Sequence, residues 1–138
     1  MILMLEDDAE RLRRFRRVLR KERLLVGFRV WRDAERMIAE ISTCLPGATL
    51  LSLDHDLEPD TDGRDPGDGL MVARYLGELT PCCPVIVHSS NRERAEWMSG
   101  EFELGGWDVH RVAPLGEDWI EHDWRITVRD LLGRSTGN

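Results

Sequence analysis

The sequence is short of several things. It has three cysteines, Cys44, Cys82 and Cys83, an odd number with no CxxC spacing. That excludes a disulfide framework and argues against a structural zinc site, so the thiols read as small buried or loop residues. No hydrophobic run is long enough to cross a bilayer. The opening Met1-Ile2-Leu3-Met4-Leu5 is too short for a signal peptide and lacks a basic segment, so a cytoplasmic protein is expected, with no membrane partner. Basic charge is outnumbered: 19 Lys and Arg stand against 26 Asp and Glu, a net charge of −7. A broad duplex nucleic-acid surface needs clustered basic residues and is not expected. A small phosphorylated ligand held by a few local groups remains open. There is no internal repeat.

What is present reads as one globular domain over residues 1–138, long enough to bury a core. Strand and helix patterns alternate. Met1 to Leu5 is a first strand, and Asp8 can cap a helix with Leu12, Phe15, Val18 and Leu19 on one face. Arg11, Arg13, Arg14, Arg16, Arg17 and Arg20 are expected on its outer faces. Phe28-Arg29-Val30-Trp31 is a second strand. Asp33 caps the next helix, with Ala34, Met37, Ile38 and Ile41 inward. Leu50-Leu51-Ser52-Leu53 is continuously apolar enough for a central parallel strand covered on both faces.

From Glu58 to Gly69 runs the longest loop, rich in Pro, Gly and acid, which suits either a lid or a solvated connection. It lacks the terminal Glu and full ligand series of a calcium loop. Asp68 can cap a third helix carrying Leu70, Ala73 and Leu76. Val85-Ile86-Val87 is a fourth strand. Ser90-Asn91-Arg92-Glu93 has the form of a capping box, with Ser90 as the cap. Trp107 to Arg111 alternates as a fifth strand. Ile120, Trp124, Val128 and Leu131 share one face of a last helix, with the C-terminal Trp residues packing it on the sheet, and the tail from Arg134 reads as frayed. Five strands alternating with five helices predict an α/β, flavodoxin-like three-layer sandwich with a five-stranded parallel sheet of order 2-1-3-4-5.

Three strands end in reactive groups. The first runs into Glu6-Asp7-Asp8, the third into Asp54-His55-Asp56, the fourth into His88-Ser89-Ser90-Asn91. In an open parallel sheet, ligands bind at the carboxyl ends of the strands, where these three converge. A strand-end histidine by itself reads as a hydrogen-bonded structural residue. Two of them, with several acids on the ligand edge, read as a site. His110 and His122 fall outside it and read as surface residues.

The order of acidic pair, strand-end Asp and strand-end hydroxyl resembles response-regulator receiver domains. Asp7 and Asp8 match the receiver acidic pair, Asp54 lies near the phosphoacceptor position, and Ser89 lies where receivers place Ser or Thr. A receiver also uses a Lys at the end of strand 5. This chain has one Lys in all, Lys21 on the first helix, and Arg111 is the nearest substitute. In the motifs Leu53-Asp54-His55-Asp56-Leu57 and Val87-His88-Ser89-Ser90-Asn91 the histidines are not receiver features. Together they resemble the cyclic-phosphate processing receiver domain family, from strand 1 through the fourth helix. From about Gly105 onward the chain carries no signature of it.

That resemblance implies a phosphoesterase acting on 2′,3′-cyclic phosphates of nucleotides or RNA ends. Such a reaction needs a base and an acid on opposite sides of phosphorus, and two imidazoles suit it near neutral pH. His55 and His88 are the candidate pair. Asp54 and Asp56, or Asp7 and Asp8, would orient an imidazole. Ser89, Ser90 and Asn91 would offer substrate-binding donors. Asp7, Asp8 and Asp54 could hold Mg²⁺, which prefers carboxylates, water and phosphate oxygens. The alternative is a degenerate receiver that signals, or binds phosphate or metal, without turnover.

Overall fold

The computed structural model describes residues 1–24 and 26–136. Among them strands and α-helices alternate: β1 (Ile2–Leu5), α1 (Ala9–Lys21), β2 (Phe28–Trp31), α2 (Ala34–Glu40), β3 (Leu50–Leu53), α3 (Gly69–Gly77), β4 (Val85–Val87), α4 (Arg92–Leu104), β5 (Val109–Arg111) and α5 (Arg125–Thr136). All strand pairs are parallel and the sheet order is β2-β1-β3-β4-β5, as the alternation predicts. In register, Leu5 stands opposite both Trp31 and Leu53, and Leu53 opposite Val87.

The two-residue repeat of a strand divides the core into two layers. Leu3, Leu5, Leu51, Leu53, Val85 and Val87 face α2, α3 and α4. Ile2, Met4, Leu50 and Ile86 face α1 and the C-terminal helix, against Leu12, Phe15, Trp124 and Val128. The central strands β1, β3 and β4 are buried along their whole length, which is why they read as unbroken apolar runs. Trp119 and Trp124 pack the chain's end onto the sheet, as expected. Trp107 sits just outside the β5 ladder, edge-on to Phe102 with its indole N–H donating to the Leu76 carbonyl (3.1 Å).

The helix starts follow the sequence at three of four capped sites. Asp8 accepts from the Arg11 amide (2.9 Å), Asp33 from Arg36 (2.8 Å) and Asp68 from Met71 (3.0 Å). The fourth differs. Asn91, not Ser90, caps α4, accepting from the Arg94 amide (3.1 Å) in an extended backbone conformation. Glu93 is therefore one position too early to close a box, and Ser90 is exposed. The last helix opens with one wide turn over Ile120–Trp124, and Ile120, Trp124, Val128 and Leu131 are buried together. Helical backbone continues to Thr136, and the rest of the expected frayed tail lies outside the described residues. No described helix is long and apolar enough to cross a membrane.

Candidate active site

One residue beyond the Leu5, Leu53, Val87 row, each of the three central strands places a polar residue on the α1 side: Glu6, Asp54 and His88. Backbone pairing carries on through that step, from the Glu6 amide to the Trp31 carbonyl (3.0 Å), Asp54 to Leu5 (3.0 Å) and His88 to Leu53 (2.9 Å). Glu6 and His88 are fully buried and Asp54 is 5% exposed.

His88 does not open onto a cleft. Its Nδ1 lies 2.7 Å from Ser52 Oγ and its Nε2 3.1 Å from Glu6 Oε1. Trp124 Nε1 donates to the same Ser52 oxygen (3.1 Å). With Ser52 accepting from Trp124, its own proton is free for His88 Nδ1. Ser52 and Glu6 thus occupy the two ring nitrogens of His88 between them. The ring lies between Phe15 (5.2 Å) and Trp119 (6.0 Å). The expectation of two imidazoles over one cleft is corrected here: both nitrogens of His88 are engaged inside the protein, and Glu6 links it to a cluster of acidic groups.

Those groups are Glu6, Asp7 and Asp54, each offering an oxygen within 4.8 Å of the others. The expected set had Asp8 in place of Glu6. Asp8 is spent as the α1 cap, while Glu6 Oε2 accepts from the Asp7 and Asp8 amides (3.1 Å each) and so faces back into the cluster. Arg11, expected on an outer face, turns in. Its guanidinium reaches Asp54 (3.5 Å) and Glu6 (3.6 Å) and lies over the Trp119 ring (5.3 Å). Arg11, from the first turn of α1, is thus the cation that meets these acids. Arg111, the expected substitute for a receiver Lys, instead donates to the Ser89 carbonyl (2.8 Å).

Burial pushes all three carboxyls toward the neutral form, and their partners decide the outcome. Burial lifts Asp54 to about 6, opposed by the His88 charge and reinforced by Glu6. Asp7 is raised by burial against the hydrogen bond from the Glu58 amide, with the Glu6 charge adding to the rise. For Glu6, burial is outweighed by the hydrogen bond and charge of His88, helped by the Asp8 amide and Arg11, so it lies below the usual range. Three clustered carboxyl groups are a donor set that fits a hard divalent cation, which takes oxygen ligands and keeps open positions for phosphate.

His55 steps to the opposite side of the strand from Asp54. Its amide donates to Asp54 Oδ1 (2.7 Å), its Nδ1 meets Asp56 Oδ1 (2.8 Å), and its carbonyl accepts from the Gly69 amide at the start of α3 (2.9 Å). The Nε2 is buried and has no hydrogen-bond partner, with Asp68 Oδ2 at 3.7 Å. A carboxylate on Nδ1 fixes the ring and leaves Nε2 as the free position. A glycine must follow here, because a Cβ at position 69 would stand 2.1 Å from the Asp54 carbonyl and 2.9 Å from His55 Cα.

The remaining expected residues have other partners. Ser89 is buried and its Oγ accepts from the Asn91 amide (3.1 Å), while Asn91 caps α4. The long loop is tied down at several points: the Glu58 amide donates to Asp7, Arg64 pairs with Glu35 (3.0 Å), and the Pro66 carbonyl accepts from Ala34 (2.8 Å). With α1 and β2 it walls a cleft of about 1000 Å³ that has Asp7 in its lining. His110 pairs with Asp108 (2.9 Å) and the exposed His122 with Asp123 (2.7 Å), both outside the row.

Residues 1–103 match the family model described as the cyclic-phosphate processing receiver domain. That span stops where the sequence motifs stop. Among curated proteins, none matches the chain. Solved structures that resemble it are receiver domains. The response regulator receiver domain from Rhodospirillum rubrum is 17% identical with a TM-score of 0.64, over 99% of this chain and 94% of that one. The response regulator domain of Thermotoga maritima CheB is 11% identical with a TM-score of 0.61, over 96% and 95%. The REC domain of RcsB from Salmonella enterica serovar Typhimurium, determined with the phosphomimetic BeF3−, is 18% identical with a TM-score of 0.60, over 92% and 87%. At these identities the likeness shows the fold.

Proposed function

This chain belongs to the cyclic-phosphate processing receiver domain family, and we propose that it is a phosphoesterase opening 2′,3′-cyclic phosphates of nucleotides or RNA ends. The observation that carries this reading is His55. A structural imidazole has both nitrogens satisfied when buried, as His88 does. His55 is 5% exposed, held by Asp56 through Nδ1, and its Nε2 makes no hydrogen bond, with Asp68 Oδ2 3.7 Å away. Its neighbour Asp54, raised to about 6, is a second proton carrier at neutral pH.

The chemistry follows from those two. Water adds to phosphorus as one group takes its proton. The P–O bond to a ribose oxygen breaks as the other group returns a proton to it. Asp54, ionised above about pH 6, takes the water proton. His55 Nε2 protonates the departing ribose oxygen, with Asp56 holding the ring in place. Arg11 meets the phosphate charge beside Asp54. A divalent cation held by Glu6, Asp7 and Asp54 would add fixed positive charge beside the phosphate. His88 is a positioning residue: it holds Glu6 and does not reach substrate.

The test is incubation of the wild-type chain with 2′,3′-cyclic nucleotides, with and without Mg²⁺, and separation of the products. Ring-opened monophosphate is expected, with His55→Ala slower by about a hundred- to ten-thousand-fold. A wild-type chain that leaves these nucleotides intact removes the enzyme reading. The second reading, a non-catalytic receiver, is favoured by the placing of Asp54 at the end of β3 among acids and a cation. It requires a phosphoryl adduct on Asp54 by mass spectrometry after treatment with a small phosphodonor and Mg²⁺.

A further inference from the structure

The proposed reaction uses the carboxyl ends of the strands and leaves the opposite edge of the sheet without a role. There, in the turn that leads into β4, the chain reads Pro81-Cys82-Cys83-Pro84. Both thiols are free, Cys82 exposed and Cys83 half-buried. Neighbouring side chains on an extended strand point to opposite faces. Here the chain bends at Cys83, the peptide bond is trans, and the two sulfurs stand 4.0 Å apart.

The surrounding backbone holds that arrangement. Pro81 has a fixed φ, and Pro84 keeps Cys83 before it out of the helical region. The Pro84 carbonyl accepts from the Leu51 amide (3.0 Å), which ties the turn to the sheet, and the Cys82 thiol donates to the Leu45 carbonyl (3.7 Å). The pair is ordered before a ligand arrives, which lowers the cost of closing on one.

The surroundings also select the ligand. Cys83, with Leu45, Leu79 and Val109, packs against the apolar core layer. Among the described residues no carboxylate, imidazole or third thiol joins the pair in a three-ligand group, since the one such group is the acidic row. A hard cation, which takes oxygen, has little to bind here, and the four ligands of a structural zinc are not assembled. Two thiolates suit a soft ion of low coordination number, and monovalent copper is one that such ligands select. The spacing agrees. With thiolate–metal bonds of about 2.3 Å, two sulfurs on one ion stand about 3.8 Å apart at a tetrahedral angle, about 4.0 Å at a trigonal one and about 4.6 Å in line. The observed 4.0 Å is the trigonal value.

We propose that Cys82 and Cys83 form a two-thiolate site for monovalent copper, with a third coordination position left open. Burial, and after it the neighbouring Cys82, pushes the Cys83 thiol above its ordinary pKa, so the empty pair rests as thiols and is not a poised nucleophile. Binding therefore displaces protons. Two S–H bonds are lost, two S–Cu bonds form, both protons leave to water, and copper stays Cu(I). The site is independent of the cyclic-phosphate reading, because the acidic row lies at the other end of the strands.

The experiment uses the full, reduced chain without oxygen. It is titrated against Cu(I) carried by a coloured bidentate chelator, and transfer is read as loss of the chelator colour and as thiolate-to-copper absorption in the ultraviolet. The wild type should take one Cu(I) per chain, and excess Zn²⁺ should not displace it. Cys82→Ser should bind at least about a hundredfold more weakly, the loss expected when one arm of a two-point attachment is removed. Cys83→Ser should do the same, and Cys44→Ser should match the wild type. Cys82 is exposed, so Cys82→Ser leaves the core intact and decides the result even where Cys83→Ser folds poorly. A wild-type chain that draws no Cu(I) from the chelator, wild-type affinity in Cys82→Ser, or an equal loss in Cys44→Ser overturns the two-thiol site.

Discussion

Asp54 is a carboxyl that folding makes harder to ionise. Its pKa in the fold is about 6 against an ordinary 3.8, so between those values the native state keeps a proton that the unfolded chain has lost. The stability tied to that proton is complete below about pH 4 and is lost as pH rises through 6. In metal-free protein, Asp54→Asn should raise the urea midpoint at pH 8 and change it little at pH 4, a difference of up to about 3 kcal/mol. Added Mg²⁺ should narrow the gap by stabilising the wild type alone. Glu6 has the opposite sign: its pKa is lowered, so its contribution is present above the ordinary carboxyl range and lost as pH falls. Glu6→Gln should cost about 1–3 kcal/mol at neutral pH, because it removes the charged acceptor that meets His88 Nε2 and the Asp7 and Asp8 amides. Asp54, Asp7 and His55 were legible as site candidates because they end apolar strands. Glu6 was not, since an acid continuing a strand looks the same in sequence whether it turns inward or outward. Arg11 was hidden among five similar arginines on one helix.

At the scale of an element, the signals are caps and close contacts. Asp33 and Asp68 each stand alone as a capping type before a helix, and each caps it; of the pair Asp7 and Asp8, the one next to α1 caps it. Before α4, Ser90 and Asn91 are both capping types, and the tie is broken only by where the chain leaves β4 and by Ser89 holding the Asn91 amide. Asn91→Ala should therefore cost about 1 kcal/mol in chemical denaturation, and Ser90→Ala less than about 0.5 kcal/mol. Position 69 is the other test. A Cβ there would overlap the Asp54 carbonyl, so Gly69→Ala should destabilise by about 2–4 kcal/mol and displace the His55 ring, visible as a shifted imidazole NMR resonance. Strand parity separates the two histidines. His88 is one residue past Val87 and falls on the α1 side, whereas His55 is two past Leu53 and falls on the other. The likeness of the two strand-end motifs conceals that one-residue offset.

Over the whole molecule, the sheet order and its two packed layers were readable from alternation and connection rules, because five short apolar runs separated by helical stripes leave few arrangements. The distribution of charge was less readable. Within a net charge of −7, folding gathers five arginines and five carboxylates from α1, β2, α2 and the loops around one cleft. The same packing sets this mixed-charge cleft beside a buried acidic row, with Asp7 common to both. The central claim, that His55 moves a proton for this row, is tested most directly by single-turnover opening of a 2′,3′-cyclic nucleotide by His55→Ala with and without free imidazole. We expect the variant to be slower by about a hundred- to ten-thousand-fold and to recover part of its rate as imidazole is added. A variant that opens the ring as fast as wild type would contradict the claim.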